Sequence, residues 1–354
     1  MSGIPVFSAG TSLQSSGVSV SAQIPADSAG MLPLFVRVTA TAAGYFRLSQ
    51  DGASAAVGDL LIQPSDGLIL KTCGLSRFSF VSQSGASTVT VTPIDVGGIK
   101  YPTNIFTPAA LFTTGVNGAW YDPSDFSTMF QDAAGTTPVT AVGQPVGRIL
   151  DKSGRGNHAF NPSGNSANFP VLQQDGAGRY YLAFNGVNQW LQTNSIDFTY
   201  GDKMFVSAGV RKLSDAALGT VVGLTTGIAS NNGAFRLAAP GSAAPNLAWS
   251  AKGTTQVDLT STTYTAPITS IISGTADIAG SSAVQRINGA QTASSASSLG
   301  TGNFSNAALY LGATGGASNW LNGRLYGLVV AGKAASASEI VSTEAWLNQK
   351  TGAY

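Results

Sequence analysis

The 354-residue chain carries 18 Lys and Arg against 17 Asp and Glu, a formal charge of +1, and only 10% of its residues are charged. That balance offers no electrostatic reason to bind DNA, RNA or an anionic membrane. With 43% hydrophobic residues, including 16 Phe, 10 Tyr and 5 Trp, the chain is not a disordered one. Its single Cys, Cys73, excludes an intrachain disulfide and a cysteine zinc site.

The start, Met1-Ser-Gly-Ile-Pro-Val-Phe7, has neither a basic n-region nor a long apolar core. No secretory signal is expected, and synthesis in a cytosol is. No run of about 18 uninterrupted apolar residues predicts a membrane helix. Up to residue 97 the chain reads as short strands. Leu34, Val36 and Val38 alternate with Phe35, Arg37 and Thr39, which is period two. Tyr45–Leu48, Leu60–Ile62, Leu68–Leu70, Phe78–Val81 and Thr88–Val91 follow, with Asp51-Gly52 and Asp66-Gly67 as turn signals. About seven strands at this spacing predict a β-sandwich or jelly roll over residues 1–97. Val96-Gly-Gly-Ile-Lys-Tyr-Pro102 breaks the pattern and all five Trp lie beyond it, so residues 98–108 are expected to be a linker.

Residues 109–354 are again strand-rich. In Met204-Phe-Val-Ser-Ala-Gly-Val210 the even positions are mostly apolar, which predicts one buried face. Phe235-Arg-Leu237, Leu247-Ala-Trp249 and Leu309-Tyr-Leu311 are further strands, Trp190 and Trp249 are expected in the core, and Asn288-Gly289 signals a hairpin. One larger sandwich is expected. A single helix closes the chain. Ser336-Ala-Ser-Glu339 is a capping box, Ile340, Val341 and Leu347 fall on one face, Glu344 falls on that face too and weakens the pattern, which an Arg partner would explain, and Gly352 is the stop. The predicted fold class is all-β, with two sandwiches and a short C-terminal helix.

The run Asp151-Lys-Ser-Gly-Arg-Gly-Asn-His158 concentrates turn chemistry: glycines for positive φ, and Asp, Ser and Asn to bond their own backbone. It resembles the Asp-x-Ser-Gly-x-Gly-Asn turn of laminin-G-like domains of the concanavalin A-like lectin/glucanase fold. Phe184-Asn-Gly-Val-Asn-Gln-Trp-Leu191 and Asn322–Val330, with the capped helix ending Glu344-Ala-Trp-Leu-Asn-Gln-Lys350, resemble that family's later strands and closing helix. Gly118-Ala-Trp-Tyr-Asp-Pro-Ser-Asp125, Phe130–Pro138 and Gly143–Gly147 resemble lectin-like modules of tailed-bacteriophage virion proteins. Ile4-Pro-Val-Phe7, Ile24-Pro-Ala26 and Val89–Pro93 resemble small all-β phage head proteins that decorate capsids.

The resemblance implies a capsid decoration protein on the virion surface. Its N-terminal sandwich would bind the major capsid protein as a homotrimer, and its lectin-like domain would face outward toward host or environmental glycans. A tail-fibre receptor-binding protein and a polysaccharide hydrolase are the alternatives. Neither repeats nor a coiled-coil shaft supports a long fibre. Hydrolysis needs two carboxylates flanking the bond; the only two Glu, Glu339 and Glu344, belong to the terminal helix, which leaves Asp pairs to supply them.

The glycan-contact candidates are Trp120, Tyr121, Asp122, Asp125, Asp151, Asn157 and His158, with Trp120 and Tyr121 in a loop-like stretch suited to stacking on a sugar. The same residues also serve as turn and core formers. A calcium ion would need about six to eight oxygen ligands, and Asp122, Asp125, Asp151 and nearby carbonyls are the donors on offer. His158, the only histidine, has no second His for zinc and no Gly-x-Ser-x-Gly elbow to serve. No catalytic residue and no cofactor is expected.

Overall fold

The computed structural model describes residues 10–26, 32–33, 35–50, 52–64, 66–94, 100–101 and 106–354. The Ile4–Phe7 segment, Leu34, Asp51 and linker positions 98, 99 and 102–105 lie outside the described residues. The chain divides into two compact units, Met1–Ile105 and Phe106–Tyr354. Among the described residues it is all-β, built of antiparallel sheets, with one α-helix at the C-terminus.

In the smaller unit two four-stranded sheets form. One orders Thr11–Ser15, Ser87–Ile94, Phe35–Ala40 and Leu68–Lys71, the other Val20–Gln23, Arg77–Ser82, Gly44–Ser49 and Leu60–Ile62. Period-two alternation sends Val36, Val38, Val89, Val91, Phe46, Phe78 and Phe80 into one shared core. The Phe46 and Phe78 rings stack there at 5.8 Å.

The larger unit has an eight-stranded and a nine-stranded sheet whose inner faces form a common core. Central in the first is Asn322–Ala331, which pairs with Gly118–Tyr121, Tyr180–Asn185 and Lys203–Lys212. The expectation of a single buried face for Lys203–Lys212 needs correction: Met204, Phe205 and Val206 are all buried. The inner side meets the core, and the outer side is covered by the C-terminal helix, Ala337–Thr351. Glycines make that contact close. A Cβ on Gly209 would stand 2.6 Å from the Thr351 side chain, and one on Gly327 would stand 3.1 Å from Leu347 and Trp346.

The helix starts and stops where its sequence says. Ser336 and Glu339 form the reciprocal capping box, and Gly352 ends it in the left-handed conformation at φ 58°. Val341 is a correction, since it is exposed; the buried face carries Thr343, Glu344, Trp346 and Leu347. Glu344, whose side chain is 2% exposed, receives Arg286 Nε at 2.9 Å and Nη2 at 3.0 Å. Asn288 and Gly289, both at positive φ, turn Ser282–Ile287 into Ala290–Ser295. Arg286→Met leaves the Glu344 carboxylate buried and alone. It is expected to cost about 3 kcal/mol in a denaturant titration, with most of that recovered by Arg286→Met combined with Glu344→Leu.

Candidate functional site

The Asp151–His158 turn lies against the strand Gly118–Tyr121. Asp151 accepts four hydrogen bonds: from the Trp120 N–H (2.9 Å) and Ser153 N–H (2.8 Å) on Oδ1, and from Ser153 Oγ (2.6 Å) and the Asn157 N–H (3.0 Å) on Oδ2. The Asn157 amide donates to the Gly118 carbonyl at 2.7 Å, and the Tyr121 hydroxyl donates to the Asn157 carbonyl at 2.5 Å. Gly154 and Gly156 supply the positive φ the loop needs. The acid, the hydroxyl and the amide therefore tie a turn to a strand.

Trp120 and Tyr121 are not in a loop. They belong to a strand and are 7% and 1% exposed. Trp120 meets Trp346 edge-on at 5.7 Å under the helix, and Tyr121 joins the main core, so neither ring offers a face to a sugar. Asp122 is buried and bonded to Lys350 Nζ at 2.9 Å; Lys152 Nζ sits 2.6 Å from Asp125 and 3.7 Å from Asp122. Burial pushes the Asp125 carboxyl up, but bonds from Lys152 and Ser127 outweigh it and hold the pKa below the usual carboxylate range. With two lysines on two carboxylates and four donors on the third, Asp122, Asp125 and Asp151 do not fit a calcium site.

The outer face of the nine-stranded sheet is different. Direct cross-strand partners run Gln192, Tyr310, Gly223, Arg236, Ser250, Asp258. One residue earlier or later along the same strands, Leu191, Leu311, Val222, Leu237, Trp249 and Leu259 pair in the same way and fill the core. Pleating thus sends the first row outward. Gln192, Tyr310 and Arg236 are half-buried and Asp258 is exposed. Trp249 lies in the core as expected. Trp190 is a correction: Leu191 takes the inward position, so Trp190 turns outward, half-buried, and stacks on Tyr310 at 6.1 Å and 27°. Gly316 packs on the Trp190 ring, where a Cβ would come within 2.6 Å.

Beside Tyr310 lies a groove of about 380 Å³, lined among others by Ser195, Thr225, Asn231, Ser305 and Asn306. Its described lining carries no charged side chain, and the Ser305 hydroxyl is buried without a hydrogen-bond partner. Thr225 holds φ at 77°, strained for a β-branched residue. This site was not singled out from sequence because its parts come from separated strands. The signal was Tyr310 between two leucines and Arg236 between Phe235 and Leu237, each an outward position flanked by core ones. A cavity of about 490 Å³ in the smaller unit is lined among others by Ile24, Ala26 and Leu32.

No protein-family model and no curated protein matches the chain. Among solved structures it is similar to the receptor-binding domain of botulinum neurotoxin type G, with 15% identity and a TM-score of 0.42 over 56% of this chain and 49% of that one. It is also similar to the binding domain of Paraclostridial mosquitocidal protein 1, with 18% identity and a TM-score of 0.44 over 59% and 51%. A third is the binding domain of botulinum neurotoxin serotype D, with 12% identity and a TM-score of 0.42 over 56% and 49%. The chain spans about half the length of each, and no ligand or partner is carried over from them.

His158 Nδ1 accepts the Asp151 N–H at 3.0 Å, so the ring is neutral in this turn. Burial and the Arg148 guanidinium hold its pKa below the ordinary value of 6.5, against the opposing pull of Asp151. With the folded pKa lowered, the unfolded chain takes up the proton first as pH falls. The contribution to stability is whole above the unfolded value and is lost from there down to the folded one. The melting temperature is expected to begin falling as pH drops below about 7, where the unfolded His starts to take up its proton, and to go on falling below the ordinary His value. Replacing this only histidine with Gln should flatten that drop.

Proposed function

We propose that the chain is a non-enzymatic display protein whose larger unit binds carbohydrate in the groove beside Tyr310. The observation that carries this reading is the Trp190–Tyr310 stack standing at a groove of neutral hydroxyls and amides. Sugars present C–H faces that lie on aromatic rings and hydroxyls that exchange bonds with Asn, Ser and Thr. Among its described residues the groove holds no carboxylate pair for glycoside hydrolysis. Glu344 is held by Arg286, Glu339 by Lys333 at 2.6 Å, and no described groove residue is a carboxylate.

The smaller unit is proposed as the anchor. The phage-like stretches in both units support placing it on a tailed-phage virion, bound to the major capsid protein as a homotrimer and holding the larger unit outward. Exposed apolar side chains in the smaller unit, Val57 at 83% and Ile69 at 51%, are available for such a contact.

Glycan-array screening of the full chain, followed by calorimetry on the best ligand, tests the first part. Tyr310→Ala is expected to weaken binding about tenfold, or about 1.4 kcal/mol, with unchanged folding; unchanged affinity would remove the groove from consideration. Electron microscopy of labelled particles tests the second. Deleting residues 1–97 is expected to abolish attachment to the shell. Label found only at the tail tip would replace the capsid anchor with a tail role.

A further inference from the structure

We propose that the outer row of the nine-stranded sheet selects an acidic saccharide, its pyranose ring seated on Tyr310 and its carboxylate held by the Arg236 guanidinium. This rests on the carbohydrate reading of the groove and adds the class of sugar.

Register places the two groups. Tyr310 and Arg236 are both direct partners of Gly223, on its two sides, so their backbones lie two strand spacings apart, roughly 10 Å. That distance accommodates a sugar ring plus an exocyclic carboxylate meeting a long side chain. Between them Gly223 contributes no side chain. Nothing in its surroundings demands glycine: an added Cβ would come no closer than 3.5 Å to any neighbour, and its φ is not in the left-handed region. A strand-interior glycine weakens a sheet and often marks a place where something approaches the backbone. The notch at Gly223, walled by Arg236, Thr225 and Thr314, has about 10 Å³ of free space. That is room for one water or one carboxylate oxygen and not for a ring. Thr225 lines both the notch and the groove, so the two lie side by side.

Arg236 is a cation in search of a partner. Phe235 and Leu237 are fully buried on the inner face, which fixes the arginine outward. Its Nε is buried without a hydrogen-bond partner. The next carboxylate along the row, Asp258, is taken by the Gln256 amide at 2.8 and 2.9 Å. Burial pulls the guanidinium pKa down, against the opposing pull of the Asp258 charge. An unpaired, half-buried guanidinium is costly to keep, and its planar fork matches a carboxylate in two parallel bonds. The polar groove supplies the neutral bonds a pyranose needs, and Arg236 adds the one charge that a neutral sugar leaves unused.

The test titrates the full chain with trigalacturonate against its methyl ester, and with 3′-sialyllactose against lactose, so that uronic and sialic acids are separate arms. At least one acidic probe is expected to bind about tenfold tighter than its neutral counterpart. Arg236→Gln should erase that preference. Gly223→Val, which keeps the guanidinium and suits a strand, should also erase it by closing the notch. Tyr310→Ala should weaken acidic and neutral probes alike. Equal binding of acidic and neutral probes, no binding of either acidic probe, or a preference that survives Arg236→Gln would overturn the proposal. If a neutral probe still binds in a Tyr310-dependent way, only the acid selectivity falls and the carbohydrate reading stands. Tri-aspartate binding as tightly as trigalacturonate would overturn the sugar assignment and point to an acidic peptide.

Discussion

The two sheets of the larger unit are sealed differently, and that asymmetry decides where a ligand can go. The eight-stranded sheet is covered on one side by its partner sheet and on the other by the C-terminal helix, with Trp120, Phe205, Val329, Trp346 and Leu347 in a second core between them. Close approach through Gly209 and Gly327 lets the helix lie flat on the strands. The Arg286–Glu344 pair then fixes it laterally, at a desolvation cost that only two-pronged geometry offsets. Along the nine-stranded sheet, the outward row instead keeps Gln192, Tyr310 and Arg236 half-buried and Asp258 exposed, with Gly223 and Ser250 buried between them, so the same pleat that fills the core also sets out a surface.

The Asp151–His158 turn shows how an arrangement resembling an active site can be wholly structural. An acid, a hydroxyl and the only imidazole stand within one turn, yet each has a backbone obligation. Asp151 spends both oxygens on N–H and O–H donors, and His158 spends Nδ1 on the Asp151 N–H. Lys350 reaches from the last helical turn to Asp122, so strand, turn and helix share one polar cluster. A carboxylate already carrying this many bonds has little capacity left for metal or substrate.

Local chemistry was the legible part of the sequence. Ser336 and Glu339 declare a helix start because a cap is decided within four residues, and Asn288-Gly289 declares a hairpin because positive φ is decided within two. The buried Glu344 was legible as a position that a cation would have to satisfy, since a carboxylate on a buried helix face has few other solutions. Pairings distant in sequence were not. Trp120 beside Tyr-Asp-Pro-Ser reads as loop until Asn322–Ala331 is known to pair with it, and Trp190 reads as core until Leu191 claims the inward position. The groove is the extreme case, because Thr225, Ser305 and Tyr310 come together only through the strand order of the sheet.

That same construction separates binding from folding. In each strand of the outer row the neighbouring residue faces the core, so Leu311 and Val222 hold the register that presents Tyr310 and Gly223, and Leu237 holds that of Arg236. Changes to the inner row create cavities costing roughly 2–5 kcal/mol. Changes to outward positions without structural partners stay within about 0.5 kcal/mol. The surface can therefore be altered residue by residue while the sandwich beneath it is kept. Trp190 is the exception within the row's surroundings. Held by Gly316 on one side and stacked on Tyr310 on the other, it positions the ring that a ligand would touch, and its removal would loosen the groove as well as the contact.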